Sequence, residues 1–205
     1  MARYTGPMTK KSRRLGVDLV GGDAAYERRP YPPGQHGRGR IKESEYLLQL
    51  REKQKARYTY GVLEKQFHNY YTEASRRPGD TGENMVGLLE TRLDAVVYRA
   101  KFAPTPFAAR QLVSHGHVMV NGRILTIGSA VLRVGDFIKL TPYAADMQAT
   151  QQARQAPRLL LPSYLQFATE GANDHGVLRM QPNTEHVPFE FDPSQVAEYY
   201  AKLGV

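Results

Sequence analysis

Residues 92–122 read RLDAVVYRAKFAPTPFAARQLVSHGHVMVNG, and this stretch decides the fold. It predicts a helix, a turn, a second helix and a β-hairpin. The second helix should begin after Thr105, an N-cap residue that is followed by Pro106 at the first helical position. Asn121-Gly122 is a strong signal for a two-residue hairpin turn, and a further strand is expected at residues 137–140. The stretch therefore predicts two helices packed on a short antiparallel sheet.

The polar side chains of this small module are predicted to lie on an outward surface above a core of Leu and Val. Arginine suits such a surface because its planar guanidinium binds two phosphate oxygens and also stacks on bases. We therefore expect the module to bind the backbone of a nucleic acid. Its candidate contact residues are Arg92, Arg99, Lys101, Arg110, Gln111, His115, His117, Asn121 and Arg123.

The positive charge of the chain is concentrated in its first third. The 205 residues contain 28 Lys and Arg against 20 Asp and Glu, which gives a formal charge of +8 and a pI near 9.7. Residues 1–60 contain fourteen of these cations and six of the acids, so the net charge of the remaining residues is zero. Such an excess favours a polyanionic partner, a class that includes RNA, DNA and anionic membrane surfaces.

Residues 1–43 are predicted to form an extended or turn-rich basic arm. Prolines at positions 30, 32 and 33 fix φ and remove backbone donors, and no sustained helical or strand period is present. Ten cations against three acids through residue 42 predict a segment that repels itself when free and orders on RNA. Its candidate contact residues are Arg3, Lys10, Lys11, Arg13, Arg14, Arg28, Arg29, His36, Arg38, Arg40 and Lys42.

An α-helical domain is expected from residues 44–92 together with residues 181–205. Its first helix, capped by Ser44, should bury Tyr46, Leu47 and Leu50 and expose a basic face. This face adds three candidate contact residues, Arg51, Lys53 and Arg57. A second helix is expected at about residues 62–76, and a C-terminal helix opened by Asp192 should dock on these early helices.

The module is expected to occupy residues 93–157, and short strands at residues 158–180 should complete it. The pattern from Ala144 to Arg154 allows one helix. Turns are predicted at Glu170-Gly171 and at Asp174-His175-Gly176, between the short strands.

Composition and motifs exclude several kinds of function. The chain has no cysteine, which excludes disulfides and thiolate zinc sites. No window offers the roughly eighteen consecutive apolar residues of a membrane span, and no secretory signal is present. There is no phosphate-binding loop, dinucleotide fingerprint or nucleophile elbow, and His115 and His117 have no third metal ligand nearby. We therefore expect a soluble, intracellular protein that is not an enzyme and needs no cofactor or metal.

A dense set of residues in and after the opening stretch forms a recognisable motif. These are Arg92-Leu-Asp94, Val97, Arg99, Phe102-Ala103, Thr105, Ala109-Arg-Gln-Leu-Val113, His115-Gly-His117, Val120-Asn-Gly122, Val134-Gly-Asp136 and Ile138. The motif resembles the RNA-binding module named after small-subunit ribosomal protein four. Further similarity at residues 33–37, 42–51 and 60–61 makes the whole chain similar to bacterial-type ribosomal protein four. The implied fold class is α+β: an α-helical domain with an inserted small α+β RNA-binding module, preceded by the basic arm.

The resemblance implies a cytoplasmic structural protein of the small ribosomal subunit. It implies primary binding of small-subunit (16S) rRNA at a multi-helix junction of the 5′ domain, which would nucleate assembly of that domain and the body. It also implies contact with ribosomal protein five, an influence on translational accuracy, and a position near messenger RNA at the entry path.

Two departures from the family pattern concern the arm and the module. Many relatives bind zinc through cysteines in the arm, and because this chain has none the metal site is not carried over. Turns such as the one at residues 32–34 are expected to shape the arm instead. Pro104 and Pro106 are expected to stiffen the turn between the two module helices.

Two other interpretations use the same module. An RNA-modifying enzyme, or an accessory to one, would use it to capture substrate, but too few residues remain for a catalytic domain. A translational regulator would use it to bind its own messenger, and this role is compatible with a ribosomal one.

Overall fold

The computed structural model describes residues 4–39, 42–157, 160–170, 173–187 and 191–204. Two compact units divide the chain. The first contains residues 1–85 and 190–205, and the second contains residues 86–189. Each unit has its own buried residues and is described by itself.

The arm contains two short helices, α1 (Met8–Leu15) and α2 (Ala24–Arg28), so it is not extended or turn-rich throughout as predicted. Gly16 ends α1 in the left-handed region, with a φ of 71°. The carboxylate of Asp23 caps α2 by accepting from the backbone N–H groups of Ala25 and Tyr26. With eight and five residues, these helices are too short to show an apolar period. Among the described residues of the arm, the buried apolar side chains are those of Leu15 and Leu19.

Three longer helices form the body of the first unit: α3 (Glu45–Thr59), α4 (Glu64–Arg76) and, from the C-terminal end of the chain, α10 (Pro193–Lys202). The predicted apolar stripe of α4 is confirmed, because Phe67, Tyr70, Tyr71 and Ala74 are buried. The C-terminal helix docks on the early helices as predicted, with the ring of Tyr200 stacked on that of Tyr71 at 4.8 Å between centroids.

Helix α3 begins after Ser44 as predicted, but its buried face differs from the predicted one. Its buried residues are Gln49, Lys53 and Ala56, whereas Tyr46 is 56% exposed. Gln49 and Lys53 can be buried there because α4 and α10 supply carboxylates that accept their hydrogen bonds. Gln49 Nε2 donates to Glu198 at 2.8 Å, and Lys53 Nζ donates to Glu64 at 2.7 Å. Hydrophobic patterning misses such a face because its partners lie on other helices.

The Glu64 carboxylate is the acceptor at the centre of this contact between α3, α4 and α10. Burial alone would raise its pKa, but donation from Lys53 and Tyr200 and the charge of Arg57 outweigh burial and lower the pKa below 4.5. A lowered folded-state pKa stabilises the fold above the unfolded value, and this stabilisation is lost as the pH falls below 4.5 towards the folded-state pKa.

Glu64→Gln is expected to lower the free energy of unfolding at neutral pH by about 1–2 kcal/mol, because hydrogen bonds to a charged acceptor are lost. The variant should also lose less stability than the parent when the pH falls below 4.5. Urea unfolding followed across this pH range measures both effects. Glu73→Gln, which removes an exposed carboxylate from the same helix, is the control. Equal pH dependence in the parent and in Glu64→Gln would contradict the assignment.

The second unit is built from helices and an antiparallel sheet. Its helices are α5 (Thr81–Glu90), which begins in the first unit, α6 (Leu93–Arg99), α7 (Pro106–Ser114), α8 (Pro142–Asp146) and α9 (Gln148–Gln155). Its strands are β1 (Val118–Val120), β2 (Arg123–Ile124), β3 (Phe137–Leu140), β4 (Leu165–Glu170) and β5 (Asn173–Leu178), in the order β2-β1-β3-β5-β4. The α+β fold class is therefore confirmed.

Local signals in the module are confirmed residue by residue. The Thr105 hydroxyl accepts from the N–H of Ala108 and caps α7, and Pro106 is its first residue. Asn121 and Gly122 both have positive φ, at 49° and 80°, which is the geometry of a tight hairpin turn between β1 and β2. The first helix of the module is α6, which begins at Leu93, and α5 ends at Glu90.

Two predictions for residues after Thr141 are wrong. A single helix from Ala144 to Arg154 is replaced by α8 and α9, which are separated at Met147. The predicted turn at residues 174–176 lies inside β5, where Gly176 pairs with Ile138 of β3 and Phe167 of β4. A glycine serves here because a Cβ would meet the Ile138 side chain at 3.3 Å. The other predicted turn, at residues 170–171, falls partly outside the described residues.

Candidate RNA-binding surface

Two of the arginines expected on the module surface are buried. Arg92 is 2% exposed and Arg99 is 3% exposed. Arg92 donates to both oxygens of Asp94, from Nε at 2.9 Å and from Nη2 at 2.7 Å. Arg99 donates to both oxygens of Glu90, at 3.0 and 2.6 Å. The prediction that these two side chains face outward is therefore wrong, because each guanidinium is held in a paired, desolvated position.

A third module arginine, Arg110 of α7, joins the same network. Its Nε and Nη2 each lie 2.7 Å from Asp94 Oδ2, so the Asp94 carboxylate of α6 binds two guanidinium groups. The backbone of the loop before β3 also holds the start of α6, because the N–H groups of Leu93 and Asp94 donate to the carbonyl oxygens of Ala130 and Gly128. Arg110 thus fastens α7 to α6, which is a structural role for a residue predicted to contact RNA.

A buried tyrosine completes the Glu90–Arg99 pair. Tyr164, which directly precedes β4, donates its hydroxyl to Glu90 Oε2 at 2.6 Å. Burial raises the pKa of Tyr164 far above its ordinary value, and the neighbouring Glu90 carboxylate raises it further. The hydroxyl therefore stays protonated and remains a donor at physiological pH. The sequence does not predict this role of Tyr164, because no local signal marks a partner that is 74 residues away from Glu90.

The remaining predicted contact residues of the module differ in their availability. Gln111, His115 and Arg123 are exposed, and Lys101 and His117 are half-buried. Asn121 is exposed but engaged, because its amide donates to Asp136 at 2.8 Å and accepts from the N–H of Phe137 at 3.0 Å. Its amide therefore connects the hairpin turn to the loop before β3.

An aromatic row that the sequence did not predict lies next to the end of α7. The rings of His115 and His117 are 6.2 Å apart, and the ring of Tyr143 follows at 5.7 Å from His117. Tyr143 is among the most exposed large side chains of the described chain. Aromatic and imidazole rings on a surface are suited to stacking on unpaired bases.

The arm places most of its predicted contact residues at the surface. Lys10, Arg14, Arg28, Arg29, His36, Arg38 and Lys42 are exposed, Lys11 and Arg13 are half-buried, and Arg3 and Arg40 lie outside the described residues. No carboxylate among the described residues forms an ion pair with the arm cations that are exposed.

Tyrosine rings hold part of the arm in shape. Arg13 of α1 and Arg38 of the loop after α2 both lie over the ring of Tyr31, with their guanidinium carbons 5.2 and 4.7 Å from the ring centroid. Arg13 Nε also donates to the Tyr31 carbonyl at 3.0 Å. Lys11 lies over the ring of Tyr4 and over that of Tyr58 on α3. These cation–π contacts shape a cysteine-free arm, and turn chemistry alone did not predict them.

The three predicted contact residues on α3 are only partly available. Lys53 is buried against Glu64 and lies over the Tyr199 ring at 4.6 Å, so its predicted exposure is wrong. Arg57 is half-buried and pairs with Glu64 at 3.4 Å. Arg51 donates to the exposed Glu43 at 2.6 Å and is the most accessible of the three.

No group of three or more His, Asp or Glu side chains able to hold a metal ion occurs among the described residues. The zinc that arm cysteines hold in many relatives does not fit this chain, which contains no cysteine. Within the same described residues, no helix has both the length and the apolar character needed to cross a membrane.

Two known protein families match consecutive parts of the chain. The family described as "Ribosomal protein S4/S9 N-terminal domain" matches residues 3–90, and the "S4 domain" matches residues 91–138. Full-length relatives named "Small ribosomal subunit protein uS4" are similar over 98% of this chain and 100% of their own length. They include proteins of Nocardioides sp. at 58% identity, Rhodococcus opacus at 53% and Mycobacterium leprae at 52%. The chain therefore belongs to the uS4 family of small ribosomal subunit proteins.

Proposed function

We propose that this non-enzymatic, cytoplasmic component of the small ribosomal subunit is a primary binder of 16S rRNA. In this role it binds a multi-helix junction of the 5′ domain before other proteins do and nucleates assembly of that domain and the body. The observation that carries the proposal is the exposed cationic surface of the arm, which includes Lys10, Arg14, Arg28 and Arg29. A cationic surface of this kind is suited to holding the phosphates of converging RNA helices.

The module adds a second, smaller contact surface. Its exposed Gln111, His115 and Arg123 supply hydrogen bonds and charge, whereas Arg92 and Arg99 keep the scaffold rigid from within. These roles differ from the predicted ones, because Arg92 and Arg99 were expected to contact RNA themselves. The module therefore positions its few contact residues by means of buried ion pairs.

The proposal extends to three roles that the family resemblance implies. They are contact with ribosomal protein five, an influence on translational accuracy and a position near messenger RNA at the entry path. A surface that binds both rRNA and a neighbouring protein would let assembly of the subunit set the geometry on which decoding depends.

Reconstitution with naked rRNA tests primary binding directly. The purified chain is expected to bind 16S rRNA without any other ribosomal protein, and nucleotide-resolved protection should lie in the 5′ domain. The slope of log affinity against log salt concentration should be about −4 or steeper, as expected for six or more phosphate contacts. A requirement for a previously bound protein, or protection confined to another domain, would refute the proposal.

A further inference from the structure

A cleft of about 630 Å³ lies in the first unit, between α1, the loop at residues 32–37 and α3. Glycine geometry gives the loop its shape. Gly37 donates its N–H to the Gly34 carbonyl at 3.2 Å, and Gly34 has a φ of 111°. A Cβ at Gly37 would lie 1.9 Å from the Pro32 carbonyl oxygen, so the loop can close in this way only around glycine. The volume is in the range of small-ligand sites.

Three cationic side chains, those of Lys11, Arg14 and Arg51, line the cleft, and none of its described lining residues is acidic. Arg14 is exposed, and the Lys11 ammonium lies 5.5 Å from the centroid of the Tyr4 ring and 5.2 Å from that of the Tyr58 ring. Arg51 uses one N–H of its guanidinium on Glu43, and the remaining donors of a guanidinium allow a second acceptor. This cluster is suited to one phosphate group.

Other residues of the lining have a different chemistry. Leu47 and Leu50 supply apolar surface that suits the flat face of a base, whereas Lys11 and Arg57 lie over the Tyr58 ring. Gln54 also lines the cleft, and its Oε1 is buried and accepts no hydrogen bond from the described residues. A buried carbonyl oxygen without a donor is rare because it loses the hydrogen bond that water would provide. A rotation of the Gln54 side chain towards the cleft would let a ligand with an amino or hydroxyl group donate to this oxygen.

The cleft is suited to a ligand that has a phosphate, a flat apolar ring and a hydrogen-bond donor. A nucleotide has all three. We propose that the cleft takes a single unpaired nucleotide of the rRNA, whose phosphate binds Arg14, Lys11 and Arg51 and whose base or ribose donates to Gln54. This inference rests on the proposed function, since it names the RNA feature that the arm recognises. The arm then contributes recognition of a splayed nucleotide as well as phosphate charge.

Nucleoside monophosphates test the cleft without the ribosome. Titration of the full chain with AMP, GMP, CMP or UMP, followed by amide NMR, should move the Gln54 side-chain and Gly37 backbone resonances for at least one of them, with a millimolar dissociation constant. Arg14→Gln should weaken this binding about tenfold and Gln54→Leu about fivefold, because each removes one polar contact. Lys65→Gln, an exposed cation on α4 that lies outside the cleft and is not a predicted contact residue, should leave binding within about twofold.

Competition identifies the source of the nucleotide. A 5′-domain rRNA fragment should displace the monophosphate, and Gln54→Leu should weaken binding of that fragment about fivefold. The proposal is overturned if no monophosphate moves these resonances, if inorganic phosphate binds equally well, or if the fragment binds without displacing the monophosphate. If the fragment binds tightly while the monophosphates do not, the cleft proposal fails and rRNA binding stands. If the monophosphates bind and the fragment does not, rRNA binding itself fails and the cleft is a site for free nucleotides.

Discussion

Glu90→Gln is expected to lower the free energy of unfolding by about 3–5 kcal/mol, the cost of breaking a buried ion pair by removing one partner. Glu90 is 0% exposed and accepts from Arg99 and from Tyr164. A neutral amide of the same shape removes the carboxylate charge that pairs with the buried Arg99 guanidinium. Removing one partner of a buried ion pair costs far more than breaking an exposed one. Urea unfolding of the purified chain, followed by circular dichroism, measures the loss.

The control is the exposed ion pair between Arg77 and Glu73, whose side chains are 47% and 50% exposed. Glu73→Gln should cost less than about 1 kcal/mol. The double variant Glu90→Leu/Arg99→Leu should be more stable than Glu90→Gln, because it removes both charges together. Equal costs for Glu90→Gln and Glu73→Gln would contradict a desolvated, structural role for the Glu90–Arg99 pair.

The variant Lys10→Gln/Arg28→Gln/Arg29→Gln is expected to bind the 5′-domain rRNA fragment about 30- to 100-fold more weakly at 0.15 M salt. Three exposed arm cations are removed, and each is expected to neutralise one phosphate. The slope of log affinity against log salt should become shallower by about 2 to 3, because fewer counterions are released. Filter binding at several salt concentrations measures both quantities, and the melting temperature should change little since these side chains are exposed.

A matched variant removes the same charge elsewhere in the first unit. Lys65→Gln/Arg76→Gln/Arg77→Gln changes three exposed cations of α4 and the residue after it, none of which is a predicted contact residue. Its affinity should fall by less than about fivefold, through the loss of net charge alone. Equal losses and equal changes of slope in the two variants would show that the arm makes no closer contact with RNA than the rest of the surface. Arg92 and Arg99 are unsuitable for this test, because their substitution would report on folding.

The local architecture of the module follows from short-range chemistry. The Thr105 cap, the proline after it and the Asn121-Gly122 turn each act within a few residues, so the sequence predicts them closely. The same reasoning predicts β3 at residues 137–140 and the apolar stripe of α4. Turn signals mislead at Gly176, which pairs with β3 and β4 inside β5 and where a Cβ would lie 3.3 Å from the Ile138 side chain.

The arm shows the limit of composition as a guide. Its charge, prolines and glycines predict an open segment, yet α1 and α2 are present and Tyr31 holds Arg13 and Arg38. Cation–π contacts carry no sequence period, so patterning cannot find them. That the free arm is mobile and orders when it binds RNA stays a prediction.

The sequence by itself determined the module, the family motif and the concentration of positive charge in the first sixty residues, because these are properties of neighbouring residues and of composition. Only the tertiary structure decided which cations are available to RNA. Arg14 and Arg28 are exposed, whereas Arg92 and Arg99 are buried against carboxylates, and Tyr164 completes one of these pairs from 74 residues beyond Glu90. The availability of a charged side chain depends on what the fold packs around it, and distant segments supply those partners.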